Sequence, residues 1–168
     1  CAFSAKRGNY HELDEPDCTD SYGISKELGE PRNCMVLRTS IIGEELRSHY
    51  SLLDWARSQE GKEVQGYKNH IWNGITSLQY AKICEQIMQD DLWHPVLRHV
   101  FSETVSKEKM LAHFSRIYNL GLKVKPFEHP DPIDRTLSTV YAFNGSLQID
   151  RFTEMVVDQY NFFRSLEK

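Results

Sequence analysis

The 168-residue chain is 40% hydrophobic and 26% charged, with a net charge of -4 and a mean hydropathy of -0.54. That composition supplies a core and lacks the basic excess of a nucleic-acid surface. Its apolar runs fall far short of the roughly 20 residues that cross a bilayer, and no basic region followed by an apolar stretch opens the chain, so neither a membrane span nor a signal peptide is read.

In chain order, "CAFS" reads as the end of a strand, so the sequence is expected to begin inside a larger protein. "AKRGNYHELDEPDCTD" is rich in Gly, Asn, Asp and Pro and reads as a loop. A short helix is predicted around Tyr22–Gly29, closed by Gly29 and Pro31. "CMVLRTSII", Cys34 to Ile42, is a nearly continuous apolar run and predicts one buried strand of a parallel sheet.

Residues 48–59 read as helical, with Leu52, Leu53 and Trp55 apolar and Gly61 as a cap. "EVQGYKNHIWNGI" reads as extended. Thr76 with Gln79 three residues on is a capping box. The helix it opens has an apolar stripe of Leu78, Ala81, Cys84, Ile87 and Met88. "RHVFSE" reads as a strand, and Ser106 as the cap of a helix bearing Met110, Leu111, Phe114, Ile117 and Tyr118. Gly121 lies just past its end. "LKVKPFE" reads as a strand and "HPDPIDRTLS" as an irregular crossing. A last helix is predicted near 150–166, with Phe152, Met155, Val156, Tyr160 and Phe163 apolar. Alternating strands and helices predict an α/β layered fold.

The four cysteines, Cys1, Cys18, Cys34 and Cys84, include no C-x-x-C pair. They read as reduced thiols of a cytoplasmic protein. His94 and His99 are five apart rather than four, and no metal site is predicted.

"DSYGISKELGE" carries the chemistry. Tyr22 and Lys26 stand at i, i+4 and share one helix face. A nearby ammonium stabilises phenolate and lowers the pKa of a tyrosine, which then gives or takes a proton near neutral pH. Alcohol–ketone redox requires that proton at oxygen while hydride moves at carbon. Eight tyrosines make a chance Tyr-x-x-x-Lys common, so the flanking sequence decides.

The flanks "RGNYHE", "YGISKELGE" and "RNCMVLRTSIIG", followed by "HIWNGITSLQYAKICEQI", "HVFSETVSKEKML" and "DRTLS", stand in a telling order. Together they resemble the second half of extended short-chain dehydrogenases/reductases that act on nucleotide sugars, the dTDP-4-dehydrorhamnose reductase-like group above all. The resemblance covers nearly the whole chain. It implies the C-terminal part of a Rossmann-like enzyme: residues 1–45 ending the Rossmann-like domain, and residues 46–168 forming mostly the substrate-binding subdomain. It implies that Tyr22 is the proton donor or acceptor, with Lys26 its tuner and a ligand of the cofactor ribose. Thr39, Ser40 and Ile41 would line the nicotinamide pocket. Arg47, Asn73 and Arg135 are candidates for contact with the sugar or the diphosphate of a nucleotide-diphosphate sugar, arginine because its fork donates two parallel bonds.

The pattern breaks in two places. No three of the nine glycines match the G-x-x-G-x-x-G loop that holds a cofactor pyrophosphate at a helix N-terminus. NAD or NADP is therefore expected in a longer parent protein and not on this chain alone, which is expected to be inactive. The group's catalytic Ser or Thr would also fall before Cys1. Cys1 itself occupies the place of an acid used by 4,6-dehydratases, which favours a 4-keto-6-deoxy sugar reductase or epimerase feeding surface polysaccharide synthesis. A dehydratase, or a non-catalytic sugar-nucleotide-binding scaffold, are the alternatives. Missing N-terminal strands would bare apolar surface, and self-association is expected.

Overall fold

Helix α1 (Ser21–Leu28) starts at Asp20, whose side chain accepts the Gly23 N–H at 2.8 Å. This is the usual reason for an Asp before a first turn: it satisfies one of the backbone donors a helix start leaves over. The computed structural model describes residues 2–45 and 50–166. Cys1 and Arg47, both named above, lie outside the described residues. Gly29 closes α1 in right-handed geometry (φ -82°, ψ -2°) rather than in a left-handed cap.

The run predicted as one strand from Cys34 to Ile42 is two. Strand β1 (Val36–Arg38) and strand β2 (Ile41–Ile42) are separated at Thr39–Ser40 and take different partners. β1 lies parallel to β6 (Leu97–His99), and β2 lies parallel to β5 (Ile75–Thr76). The break has a cause at Ser40. Its carbonyl accepts Ile75 N–H at 2.9 Å and its hydroxyl accepts the Trp72 indole N–H at 2.7 Å. Gly74 allows that approach: a Cβ there would overlap the Ser40 carbonyl oxygen.

Helix α2 (Leu52–Ser58) is capped by Ser51. Strand β3 (Glu63–Tyr67) pairs in parallel with β8 (Lys123–Phe127). Strand β4 (His70–Trp72) is central in a three-stranded sheet, antiparallel to β7 (Val105–Ser106) and parallel to β9 (Ile133–Asp134).

Helix α3 (Ser77–Gln89) has half of its predicted capping box. Thr76 accepts Gln79 N–H at 3.2 Å, but the Gln79 side chain donates to the Gln148 carbonyl instead of returning to Thr76. Helix α4 (Lys107–Ile117) is capped by Ser106. Short α5 (Phe143–Ser146) was not foreseen, and α6 (Phe152–Leu166) closes the chain.

Helix α4 packs on β3 and β8 and against α2 and α6, while α3 packs on α6. The core so formed includes Leu53, Ile75, Ile83, Leu111, Phe114, Phe152, Met155 and Val156. A smaller cluster of Phe3, Tyr10 and Leu137 ties the N-terminal loop to the segment after β9. Glu12 joins the same seam: it accepts the His99 N–H at 2.9 Å and the Thr139 hydroxyl at 2.6 Å. The parallel strand pairs and interleaved helices make an α/β fold.

Candidate functional site

A cleft of about 850 Å³ opens between α1, the Ser40 break, β4 and the start of α4. Of the residues singled out from sequence, Tyr22, Ser40, Ile41 and Arg135 line it; Lys26, Thr39 and Asn73 do not.

Tyr22 is 63% exposed, and its hydroxyl makes no hydrogen bond among the described residues. Lys26 Nζ lies 5.3 Å from the centre of the Tyr22 ring, over its face. Among the described residues Lys26 has no carboxylate partner. The helix start beside them is held tightly. Asp20 accepts Gly23 N–H and the Cys18 thiol, the latter at 2.8 Å. Those bonds, the thiol's first, hold its carboxyl below the usual range.

The far end of α1 is anchored to β1 by a bidentate ion pair. Arg38 donates to Glu30 through Nε at 2.6 Å and through its terminal nitrogen at 2.8 Å. The residue just past α1 is thus tied to β1, and Tyr22 is set at the cleft by contacts at both ends of its helix.

The floor beneath Tyr22 comes from a network the sequence reading missed. Asp17 accepts Ser4 N–H at 2.6 Å, the Ser4 hydroxyl at 2.7 Å and the Tyr10 hydroxyl at 3.3 Å. Burial alone would raise the Asp17 carboxyl, but these donors outweigh it and hold it below the ordinary range. Phe3 and Tyr10 stack behind, with ring centres 4.4 Å apart.

Ser40 faces the cleft, but its hydroxyl is already engaged by Trp72. Ile41 is 50% exposed beside it. Thr39 is half-buried, its hydroxyl 3.5 Å from the Ser40 carbonyl oxygen. Asn73 is only 4% exposed, and both ends of its amide are committed to Leu137: Nδ2 donates to the carbonyl at 2.8 Å and Oδ1 accepts the N–H at 2.9 Å. It fixes the loop after β9, which carries Arg135, rather than facing the cleft.

The cleft is also lined by Lys6, His70, Lys107 and Arg135. Burial pushes the Lys107 ammonium below its usual range, and the Arg135 charge adds to this. Burial also lowers His70, against a bond to the Asp131 carbonyl, and the charges of His129, Lys107 and Arg135 push the same way. Lys107 and His70 were not foreseen. The available signal was Ser106: a capping serine makes the next residue the first of the helix, at the point where β7 runs beside β4. No cluster of three His, Cys, Asp or Glu side chains suited to a metal occurs among the described residues.

Among the described residues, a phenol without a hydrogen bond and an ammonium without an acid partner stand on adjacent turns of α1, the phenol lining the cleft with Ser40 and Ile41.

No family model and no curated protein matches the chain. Solved structures do. A hypothetical dTDP-4-dehydrorhamnose reductase from Sulfolobus tokodaii superposes with a TM-score of 0.68 at 23% identity, over 89% of this chain and 56% of the other. The dTDP-4-dehydrorhamnose reductase of Bacillus anthracis, in complex with NADP, gives a TM-score of 0.72 at 18% identity, over 96% of this chain and 62% of that one. The UDP-N-acetylglucosamine 4-epimerase of Methanobrevibacter ruminantium, in complex with UDP-N-acetylmuramic acid, gives 0.70 at 17% identity, over 98% and 61% respectively. The fold is thus that of part of these reductase and epimerase structures, a Rossmann-like α/β fold, as the sequence resemblance implied. The chain spans 56–62% of the length of these three structures.

Proposed function

We propose that this chain is the catalytic-helix and substrate-binding part of a nucleotide-sugar oxidoreductase, a 4-keto-6-deoxy sugar reductase or epimerase that uses NAD(P)H. The observation that carries the reading is the cleft-facing, unbonded Tyr22 phenol with the Lys26 ammonium 5.3 Å from its ring centre. Tyr22 moves the proton at the sugar oxygen, and Lys26 steadies the phenolate and reaches toward the cofactor ribose. The nicotinamide supplies the hydride. Ser40 and Ile41 form the wall beside the reacting carbon, with Thr39 setting the strand end behind them. Arg135 binds the anionic part of a nucleotide-diphosphate sugar.

In this reading residues 1–45 complete the cofactor side and residues 46–168 form mostly the substrate side. The cofactor pyrophosphate loop belongs to the longer protein, so the chain alone is inactive. The product feeds surface polysaccharide synthesis in the cytoplasm. Exposed Ile24 and Leu28 on α1, 40% and 80% accessible, support self-association of the isolated chain, which light scattering measures; a monomer at high concentration contradicts it.

The test uses a full-length protein containing this sequence and follows nicotinamide absorbance with a 4-keto sugar nucleotide. Tyr22→Phe lowers turnover by roughly 100- to 10,000-fold, as loss of a general acid does. Stability changes by less than about 0.5 kcal/mol, because the lost hydroxyl is exposed. Full turnover in Tyr22→Phe refutes the assignment.

A further inference from the structure

His99 is fully buried and does not line the cleft. Its Nδ1 lies 3.1 Å from the Tyr10 carbonyl oxygen and 3.0 Å from that of Ser138. A carbonyl oxygen only accepts, so Nδ1 carries the proton and Nε2 of the neutral ring is an acceptor. Burial first, and the charge of Arg38 with it, hold the ring below its usual value, against the pull of Glu12. Nε2 is buried and has no protein partner among the described residues.

A donor in the same condition stands next to it. Arg38 commits Nε and Nη2 to Glu30, and its Nη1 is buried without a protein partner among the described residues. Arg38 and His99 are register partners in the parallel pair β1–β6, so their side chains leave the same face of the sheet. One ring meets both. The Arg38 guanidinium carbon lies 5.4 Å from the centre of Phe3, and the His99 ring centre lies 5.8 Å from it, edge-on. An orphaned donor and an orphaned acceptor thus share one space beside Phe3 without bonding each other. Leaving a charged N–H and an imidazole lone pair dry costs more than immobilising one water molecule. A buried water needs polar partners on more than one side, and these two are of complementary kind.

We propose that Arg38 and His99 form a buried site for a single water molecule, which accepts from Arg38 Nη1–H and donates to His99 Nε2. The water extends the Arg38–Glu30 ion pair to β6, so that Glu30, just past α1, is joined through Arg38 and the water to His99. It also holds His99 in one neutral tautomer, with a proton on Nδ1 for the two carbonyls and a lone pair on Nε2 for the water. Arg38 borders a hollow of about 530 Å³ beside Glu30, Pro31 and Leu97, from which the water exchanges. The site goes beyond the reading of the cleft given above and does not depend on Tyr22 chemistry.

Nuclear magnetic resonance of the isotope-labelled chain tests it. Ring correlations at neutral pH show His99 protonated at Nδ1. The Cδ2–H of that ring flanks Nε2 and is remote from Nδ1, so it gives a water cross-peak with the sign of a bound rather than a diffusing molecule. Arg38→Met removes the charge that opposes protonation of His99 and raises the proton affinity of the ring by roughly threefold or more. Absence of a bound-water cross-peak at the Cδ2 proton overturns the proposal, as does a coupling transmitted directly between Arg38 Nη1 and His99 Nε2. A His99 titration that does not move in Arg38→Met overturns it too, because the two side chains then do not share a space. Should that variant fail to fold, the cross-peak in the parent chain decides by itself.

Discussion

The indole nitrogen of Trp72 in β4 donates to the Ser40 hydroxyl at 2.7 Å, tying that strand to the break between β1 and β2. The bond explains why an apolar run that reads as one strand is cut in two. It also turns the Ser40 hydroxyl into a support for the cleft wall. Trp72→Phe removes the donor while keeping an aromatic ring, at a cost of about 1 kcal/mol. In the full-length protein the freed Ser40 shifts KM more than turnover.

Gly74 makes the same junction possible. A methyl group there overlaps the Ser40 carbonyl and a Trp72 ring carbon, neither of which is the end of a flexible side chain. Gly74→Ala destabilises by roughly 3 kcal/mol, the upper end of ordinary overpacking. Gly145→Ala, with nothing within 4 Å, is the control and stays near neutral. Urea midpoints of both variants measure the difference; equal midpoints contradict the account.

The Arg38–Glu30 pair holds α1 on β1 with side chains 12% and 25% exposed. Removing one partner leaves the other poorly solvated, so Arg38→Met and Glu30→Gln each cost about 1–3 kcal/mol, and the double variant costs less than their sum. A double-mutant cycle read by urea denaturation gives the coupling. Additive effects would mean that the pair does not anchor the helix.

The longer helices were legible because their signals are local: Thr76 and Ser106 read as caps and each accepts a backbone N–H inside the first turn. Asp20 and Ser51 cap in the same way without having been read as caps, and the helix expected from residue 48 is α2, which begins at Leu52. The buried faces were less legible. In α3, Met88 reads as core yet is 72% exposed, while Gln79 is 2% exposed. Gln79 is inside because Gln148, far along the chain, offers its carbonyl. The Tyr22–Lys26 contact follows from helical spacing alone. Lys107 and His70 reach the cleft only through the pairing of β4 with β7, which spacing does not encode. Asn73 read as a ligand residue because a polar side chain after a strand suits a site, but Leu137 engages both ends of its amide.

Asn73→Ala leaves the Leu137 N–H and carbonyl without their partners in a buried position. It destabilises by about 2–3 kcal/mol, the cost of unsatisfied buried groups. Asn73→Asp keeps the acceptor and loses the donor, so it recovers part of that loss only if the carboxylate stays solvated. Thermal melts of both variants measure this. Because the same loop carries Arg135, anion binding in Asn73→Ala weakens too; unchanged stability would show that the amide bridge carries no weight.

Three histidines set the pH dependence. Burial is the first cause holding His70, His99 and His113 below the ordinary value of 6.5. Like charges add to it: His129, Lys107 and Arg135 at His70, Arg38 at His99, and Arg116 and Lys109 at His113. Glu12 opposes it at His99 and Glu103 at His113, without reversing the direction. Well above pH 6.5 these groups are neutral in both folded and unfolded chains and contribute no slope. As pH falls through about 6.5 the unfolded chain takes up protons that the folded one resists, so stability falls. Glu12, Asp14, Asp17 and Asp20 are held below the carboxylate range, and their contribution is lost only at lower pH, as each protonates. Melting temperature is therefore level from about pH 8 to 7 and declines between about pH 6.5 and 5, before the carboxylates respond. His113→Gln removes one of the three groups and makes that decline shallower. A melting temperature that holds or rises on acidification through this window contradicts the assignment.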